Sequence, residues 1–119
     1  MSWHIQLGKR GEQLAKAYLT EKGFLILSVN WKYSRYEIDL IASKEEVLHF
    51  IEVKTRSNER FGLPEESVDK QKMRRLMKAA DQYLYLHPGW KWVQYDVLAI
   101  TIRGNQAPRF FVIEDVYPD

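Results

Sequence analysis

Two short acidic motifs stand out in this 119-residue chain. Glu37-Ile-Asp39-Leu-Ile41 and Phe50-Ile-Glu52-Val-Lys54-Thr55 each set carboxylates inside an otherwise apolar run. Such runs read as strands, and alternation puts Leu48, Phe50, Glu52 and Lys54 on one face and His49, Ile51 and Val53 on the other. Both faces are apolar upstream, as in a central strand covered on both sides. Charges there are expensive unless they are paired or bound to metal. If Glu45-Glu46 is a two-residue turn, Lys44 pairs with Val47, Asp39 with Glu52 and Glu37 with Lys54. Glu37 and Asp39 then share a face with Ile41. Opposed side chains have Cβ atoms about 4.5–5.5 Å apart, so two facing carboxylates repel. A divalent cation such as Mg²⁺ (or Mn²⁺) between them removes the repulsion. Lys54 adds an ammonium that can orient water or steady charge on a phosphate. Asp39, Glu52 and Lys54 are therefore equipment for metal-assisted phosphodiester hydrolysis. The plainer alternative is a Glu52–Lys54 ion pair at a strand end, with Asp39 capping a loop. A register slip of one residue would put Asp39 and Glu52 on opposite faces.

The elements that must position these groups are legible from periodicity. Residues 3 to about 22 carry Leu7, Leu14, Ala15, Tyr18 and Leu19 at helical spacing and stop at Gly23. Residues 24–31, 36–42 and 47–55 read as strands. Residues 56–66 form a loop with Gly62 and Pro64. A second helix follows over about 67–86, with Met73, Leu76, Met77, Ala80, Tyr83 and Leu84 as one apolar stripe. Residues 90–102 and 109–115 complete five strands. The expected fold is α/β, a mixed central sheet of about five strands flanked by helices, in a single domain over 1–119. Glu12 lies in a small apolar stripe with Gly8, Ala15 and Leu19, where glycine permits close backbone approach. It either supports the metal, directly or through water, or pairs with Lys9 or Lys16.

Composition narrows the classes. The absence of cysteine excludes a disulfide scaffold, a thiol nucleophile and a Cys-bearing zinc site. Hydrophobic residues at 45% and charged residues at 29% fit a globular chain rather than a disordered one. No apolar run approaches the roughly 18 residues of a membrane span, and the N-terminus lacks a signal-peptide pattern, so no membrane and a cytoplasmic location are expected. Net charge is only +2. Its distribution says more. Lys70, Lys72, Arg74, Arg75 and Lys78 form a run with no negative charge, and Arg56 and Arg60 are close in sequence. Such a run suits a phosphate backbone, or it is simply a solvated helix face.

The motifs together carry a resemblance. Gly8-Lys-Arg-Gly-Glu12-Gln-Leu-Ala15, Gly23-Phe-Leu-Ile-Leu, Glu37-Ile-Asp-Leu-Ile41, Phe50-Ile-Glu-Val-Lys-Thr-Arg56, Phe61-Gly62, Pro64, Lys72, Arg75-Leu76 and Tyr95-Asp-Val-Leu-Ala99 resemble the YraN-like family of small bacterial proteins. That family is similar to restriction-endonuclease-like nucleases and archaeal Holliday-junction resolvases. The resemblance implies a restriction-endonuclease-like fold. It assigns Glu12, Asp39, Glu52 and Lys54 as catalytic, with Val53 lending a backbone carbonyl to a metal held by Asp39 and Glu52. It places Lys72 at a basic position opening the second helix. The partner implied is nucleic acid, DNA ahead of RNA and branched substrates included. A homodimer is implied because junction resolvases act as dimers. The alternative is a nucleic-acid-binding module of the same fold with little or no activity. One departure is Tyr36, where the family usually has glycine. It either narrows the groove or stacks on a base.

Other side chains point elsewhere. His4, His49 and His87 lack metal-ligand spacing and read as structural or solvated. Trp90 and Trp92 read as core residues on one strand face. Thr55 and Ser57 have no histidine partner for nucleophilic catalysis.

Overall fold

A computed structural model describes residues 3–57 and 68–117 of the chain. Arg60, Phe61, Gly62 and Pro64 lie outside the described residues. The order of elements is α1 (Trp3–Glu21), β1 (Leu25–Tyr33), β2 (Tyr36–Lys44), β3 (Val47–Arg56), α2 (Lys70–Leu86), β4 (Trp92–Thr101) and β5 (Arg109–Ile113). The strands form one five-stranded sheet in sequence order. The β3–β4 pair is parallel, and the other three pairs are antiparallel. A parallel pair needs a long crossover, and α2 supplies it. The expected mixed α/β sheet flanked by helices is what the chain forms.

Each helix covers one face with its apolar stripe. Ala15 and Leu19 of α1 pack on Leu40, Ala42, Ile51, Leu98 and Ile100. Met73, Leu76, Ala79, Ala80 and Tyr83 of α2 pack with Ile38, Ile41, Leu48, Phe50 and Val97. The central strand β3 is thus buried on both sides, as its two apolar faces require. Among the described residues no helix is long and apolar enough to cross a membrane.

The hairpin register places the acidic motifs. Lys44 pairs with Val47 and Leu40 with Ile51. Glu45 and Glu46 form the two-residue turn with φ of +49° and +68°. Positive φ at both central residues matches the twist of the flanking strands, even though glutamate seldom adopts it. The expected alternation in β2 fails at one point. Ile38 and Ile41 both face α2, whereas Leu40 and Ala42 face α1. Strict alternation therefore breaks at Asp39, and Glu37, Asp39 and Ile41 do not line up on one face. The reason is that the β2–β3 ladder ends at Leu40–Ile51 while β2 stays paired with β1 through Tyr36.

The two tryptophans also depart from expectation. Trp90 precedes β4 and packs on the α2-side core, but Trp92 is 57% exposed. They do not share a strand face, because β4 begins only at Trp92.

Candidate active site

Where β2 leaves β3, the Asp39 carboxylate fills the gap. Its Oδ2 accepts the Val53 backbone N–H at 2.8 Å. Asp39 therefore lies beside the backbone of β3 and close to Glu52. Its pKa is raised from 3.8 to about 6, chiefly by burial, with the Glu52 and Glu37 carboxylates adding to the rise and the Val53 N–H opposing it. This is the behaviour of a carboxyl that lacks a full counter-charge.

Glu52 is buried, at 8% exposure, and its counter-charge comes from α2. Lys72 Nζ sits 3.0 Å from Glu52 Oε1. Burial would lower the Lys72 pKa, but the Glu52 carboxylate outweighs it and the net direction is upward. Lys54 goes the other way. Burial lowers it first, and the neighbouring Lys72 ammonium lowers it further. Asp39 and Glu52 thus stand with two lysines whose pKa values move in opposite directions.

Lys72 is placed by the start of α2. Asp69 is the N-cap, and its Oδ1 accepts from Gln71 N at 3.0 Å and Lys72 N at 3.2 Å. Those bonds satisfy helix N–H groups that have no partner within the helix. They also hold the Asp69 carboxyl below its usual range, led by the Lys72 N–H bond. Periodicity alone missed this cap, although an aspartate immediately before an apolar-periodic run is its usual signal.

Glu12 arrives from α1. A Cβ on Gly11 would collide with the side chain of Thr55 on β3, so Gly11 lets the helix close on the strand. Gly8 meets nothing within 4 Å and has no such role. Gly8, Glu12, Asp39, Val53, Thr55 and Lys72 all line one cleft of about 260 Å³. Glu12 Oε2 accepts from Asn30 Nδ2 at 3.3 Å. Asn30 holds φ at +52°, and its Oδ1 is buried with no partner among the described residues. Sequence reasoning gave no signal for Asn30, whose role depends on a bond from β1 to α1.

The structure brings Glu12, Asp39, Val53 and Lys72 around one cleft, and Glu52 joins through Lys72. It does not gather three acidic or imidazole groups at metal-binding separation among the described residues. The oxygen donors of Asp39 and Glu52 nevertheless suit a hard divalent cation, which would answer the charge that raises Asp39.

The basic run divides in two. Lys70, Arg74 and Lys78 recur every four residues, opposite the buried stripe of Met73, Leu76, Ala80 and Tyr83. Lys72 faces the carboxylates instead. Arg75 lies toward Tyr36, and Arg56 closes β3 with its carbonyl accepting from Ile102 N at 2.8 Å. The Tyr36 hydroxyl has its pKa lowered by a hydrogen bond with Arg35 and by the charges of Lys78, Arg35 and Arg75. The β1–β2 hairpin tip therefore brings Arg35 and Tyr36 near Lys78 and Arg75 of α2, three cations around an aromatic ring.

Residues 11–100 match the Uncharacterised protein family UPF0102. The chain belongs to this family. It is the YraN family that the motifs resemble. A family relative from Bacteroides thetaiotaomicron is 45% identical over 118 residues, 99% of this chain and 98% of its own. One from Parabacteroides distasonis is 46% identical over 117 residues, covering 98% and 96%. Dictyoglomus thermophilum supplies a relative 41% identical over 101 residues, covering 84% and 86%. Family membership takes in the acidic motifs, Lys72 and β4 as far as residue 100, since all lie within the matched span.

Proposed function

We propose that this chain is a divalent-metal-dependent nuclease that hydrolyses phosphodiester bonds in DNA ahead of RNA. The observation that carries the reading is the Asp39 carboxylate, pushed to about 6 beside Glu52 at the point where β2 parts from β3. Asp39 and Glu52 are the residues that would hold Mg²⁺ or Mn²⁺, with the Val53 carbonyl as a third oxygen. The chemistry such a cation supplies is Lewis-acid stabilisation of charge building on a phosphoryl oxygen.

The chain's own groups do the rest. In the hydrolysis, water oxygen bonds to phosphorus, the ester P–O bond breaks, and the departing oxygen takes up a proton. Lys54, with its lowered pKa, orients the water or donates to the charge that develops. Lys72 holds Glu52 in place and screens it until substrate and metal arrive. Glu12, tethered by Asn30, closes the α1 side of the cleft. Lys70, Arg74, Arg75 and Lys78, with Arg56 at the strand end, contact the phosphate backbone, and Tyr36 offers a face for stacking. A homodimer, bringing two such sites together, would let both strands of a duplex or junction be cut in one encounter. A nucleic-acid substrate agrees with the cytoplasmic location expected from the sequence.

One observation favours the second reading, a binding module. Lys72 already neutralises Glu52 without any metal. A cleavage screen over duplex, single-stranded and branched DNA and RNA with Mg²⁺ or Mn²⁺ separates the two. The nuclease reading expects metal-dependent cutting that Asp39→Asn abolishes. Binding with no cutting in any metal favours the module.

A further inference from the structure

A second polar constellation lies apart from the carboxylate cleft. His49, 7% exposed, and Asp96, 3% exposed, lie diagonally across the parallel β3–β4 pair, in which His49 is opposite Gln94 and Asp96 opposite Ile51. His49 Nδ1 is 2.7 Å from Asp96 Oδ2. Asp96 Oδ1 already accepts from Gln94 Nε2 at 2.9 Å and Asp115 N at 3.0 Å. A carboxylate used as an acceptor on both oxygens fixes the proton of His49 on Nδ1. That leaves Nε2 for another partner, and among the described residues no protein group supplies one.

The imidazole borders a cavity of about 520 Å³, within the roughly 300–1,000 Å³ typical of ligand sites. The cavity meets the C-terminal end of α1 at Tyr18 and Lys22, whereas the carboxylate cleft meets the helix at Gly8 and Glu12. Phe24 stands edge-on to His49, with ring centroids 4.9 Å apart. Two ammonium groups guard the aromatic wall. Lys44 Nζ lies 5.2 Å from the Phe24 ring centre and Lys22 Nζ 5.5 Å from that of Tyr18. Neither pairs with a carboxylate among the described residues. Toward β4, Gln94 spends its Nε2 on Asp96 and keeps its carbonyl oxygen as an acceptor.

An aspartate that accepts the hydrogen bond of one imidazole N–H leaves the other nitrogen as an acceptor. The aromatic wall favours a flat ring, the acceptors, with Glu45 and Glu114 also on the lining, favour ring N–H groups, and the two lysines, each held against an aromatic ring, favour an anion. We infer that this cavity binds a small heteroaromatic molecule carrying one anionic group. Its ring lies along Phe24, its polar edge meets His49 Nε2 and Gln94, and its anion meets Lys22 and Lys44. This site is independent of the nuclease reading, and neither needs the other.

The test is NMR of the full-length protein labelled in its three histidines, with His49→Gln assigning the His49 signal. Two probe sets distinguish the sources of the shared chemistry: the nucleoside 5′-monophosphates GMP and UMP, and the aromatic acids indole-3-acetate and indole-3-carboxylate. A member of either set should shift the His49 ring resonance in a saturable way at submillimolar concentration. Lys44→Ala, a change at the cavity mouth that spares the His49–Asp96 bond, should weaken that probe about tenfold, as loss of a charged hydrogen bond does. If no probe moves His49 at millimolar concentration, or Lys44→Ala and Lys22→Ala both bind as wild type does, the inference is overturned.

Discussion

The Asp39 carboxylate accepts the Val53 N–H at 2.8 Å, one step past the last rung joining β2 to β3. A side chain there replaces the backbone carbonyl that a continued ladder would supply. The bond satisfies a strand N–H and at the same time commits a carboxylate to a place where burial opposes its charge. The candidate site is built around that conflict.

The conflict has a pH signature. The Asp39 pKa rises from 3.8 to about 6, so the folded state holds a proton that the unfolded state has released. The resulting stability is fully present below about pH 4 and is lost as pH rises through about 6. A shift of this size corresponds to about 3 kcal/mol at most. Urea unfolding of the wild type should show this fall between pH 4 and pH 7, and Asp39→Asn should lack that part of it. Saturating Mn²⁺ should restore stability at pH 7 in the wild type alone. An identical Mn²⁺ response in the two proteins would remove Asp39 from the metal site.

Gly8 and Gly11 should respond oppositely to alanine. Gly11→Ala forces a Cβ against Thr55 and should destabilise by about 1–3 kcal/mol. Gly8→Ala meets open space and should stabilise α1 by about 0.5–1 kcal/mol through helix propensity. Thermal unfolding of both variants checks the pair, and equal effects would mean that α1 does not seat on β3 at Thr55.

Lys72 and the metal should compete for Glu52. Without metal, Lys72→Ala leaves Glu52 buried and unpaired; because the lysine side chain is 48% exposed, the loss should be about 1 kcal/mol. Divalent cation should then stabilise Lys72→Ala more than wild type, and chelation should reverse the gain. Calorimetric Mn²⁺ titration of both proteins measures it. Tighter binding in wild type would show that Lys72 supports the metal rather than competing with it.

Much of this architecture is legible in sequence, for local reasons. The α2 stripe of Met73, Leu76, Ala80 and Tyr83 follows from the 3.6-residue period, and the Lys44–Val47 register follows from a two-residue turn. What sequence did not disclose depends on departures from period or on distant pairing. The face switch at Asp39 breaks the two-residue alternation from which faces are read. By charge pattern alone Lys72 is one more cation in a basic run, and only the family resemblance singles it out, since its partner Glu52 is reached by folding α2 over the sheet. His49 and Asp96 are 47 residues apart and meet only because β3 and β4 run parallel. Trp92 reads as core by type, yet it opens β4 at the sheet's end, where it stays 57% exposed with the Lys91 ammonium over its ring.

The positive surface should reveal itself in salt dependence. Binding to duplex DNA should weaken with salt at a slope of about 0.9 in log units per phosphate neutralised. Replacing Lys70, Arg74 and Lys78 with alanine should weaken affinity and flatten that slope. Tyr36→Ala should weaken binding to single strands more than it changes the slope, because stacking is not electrostatic. Fluorescence anisotropy across a salt series reads both effects, and an unchanged slope in the triple variant would move the nucleic-acid face elsewhere.

The most direct measurement is single-turnover cleavage of end-labelled DNA in Mn²⁺ by wild type, Asp39→Asn and Lys54→Ala, with binding measured in parallel. The expected result is cutting by wild type, none by Asp39→Asn, and a rate about 10²–10³ lower for Lys54→Ala at nearly unchanged affinity. Binding by a folded wild type with no cutting in Mn²⁺ or Mg²⁺, or cutting that survives Asp39→Asn, would contradict the assignment of this cleft as a nuclease centre.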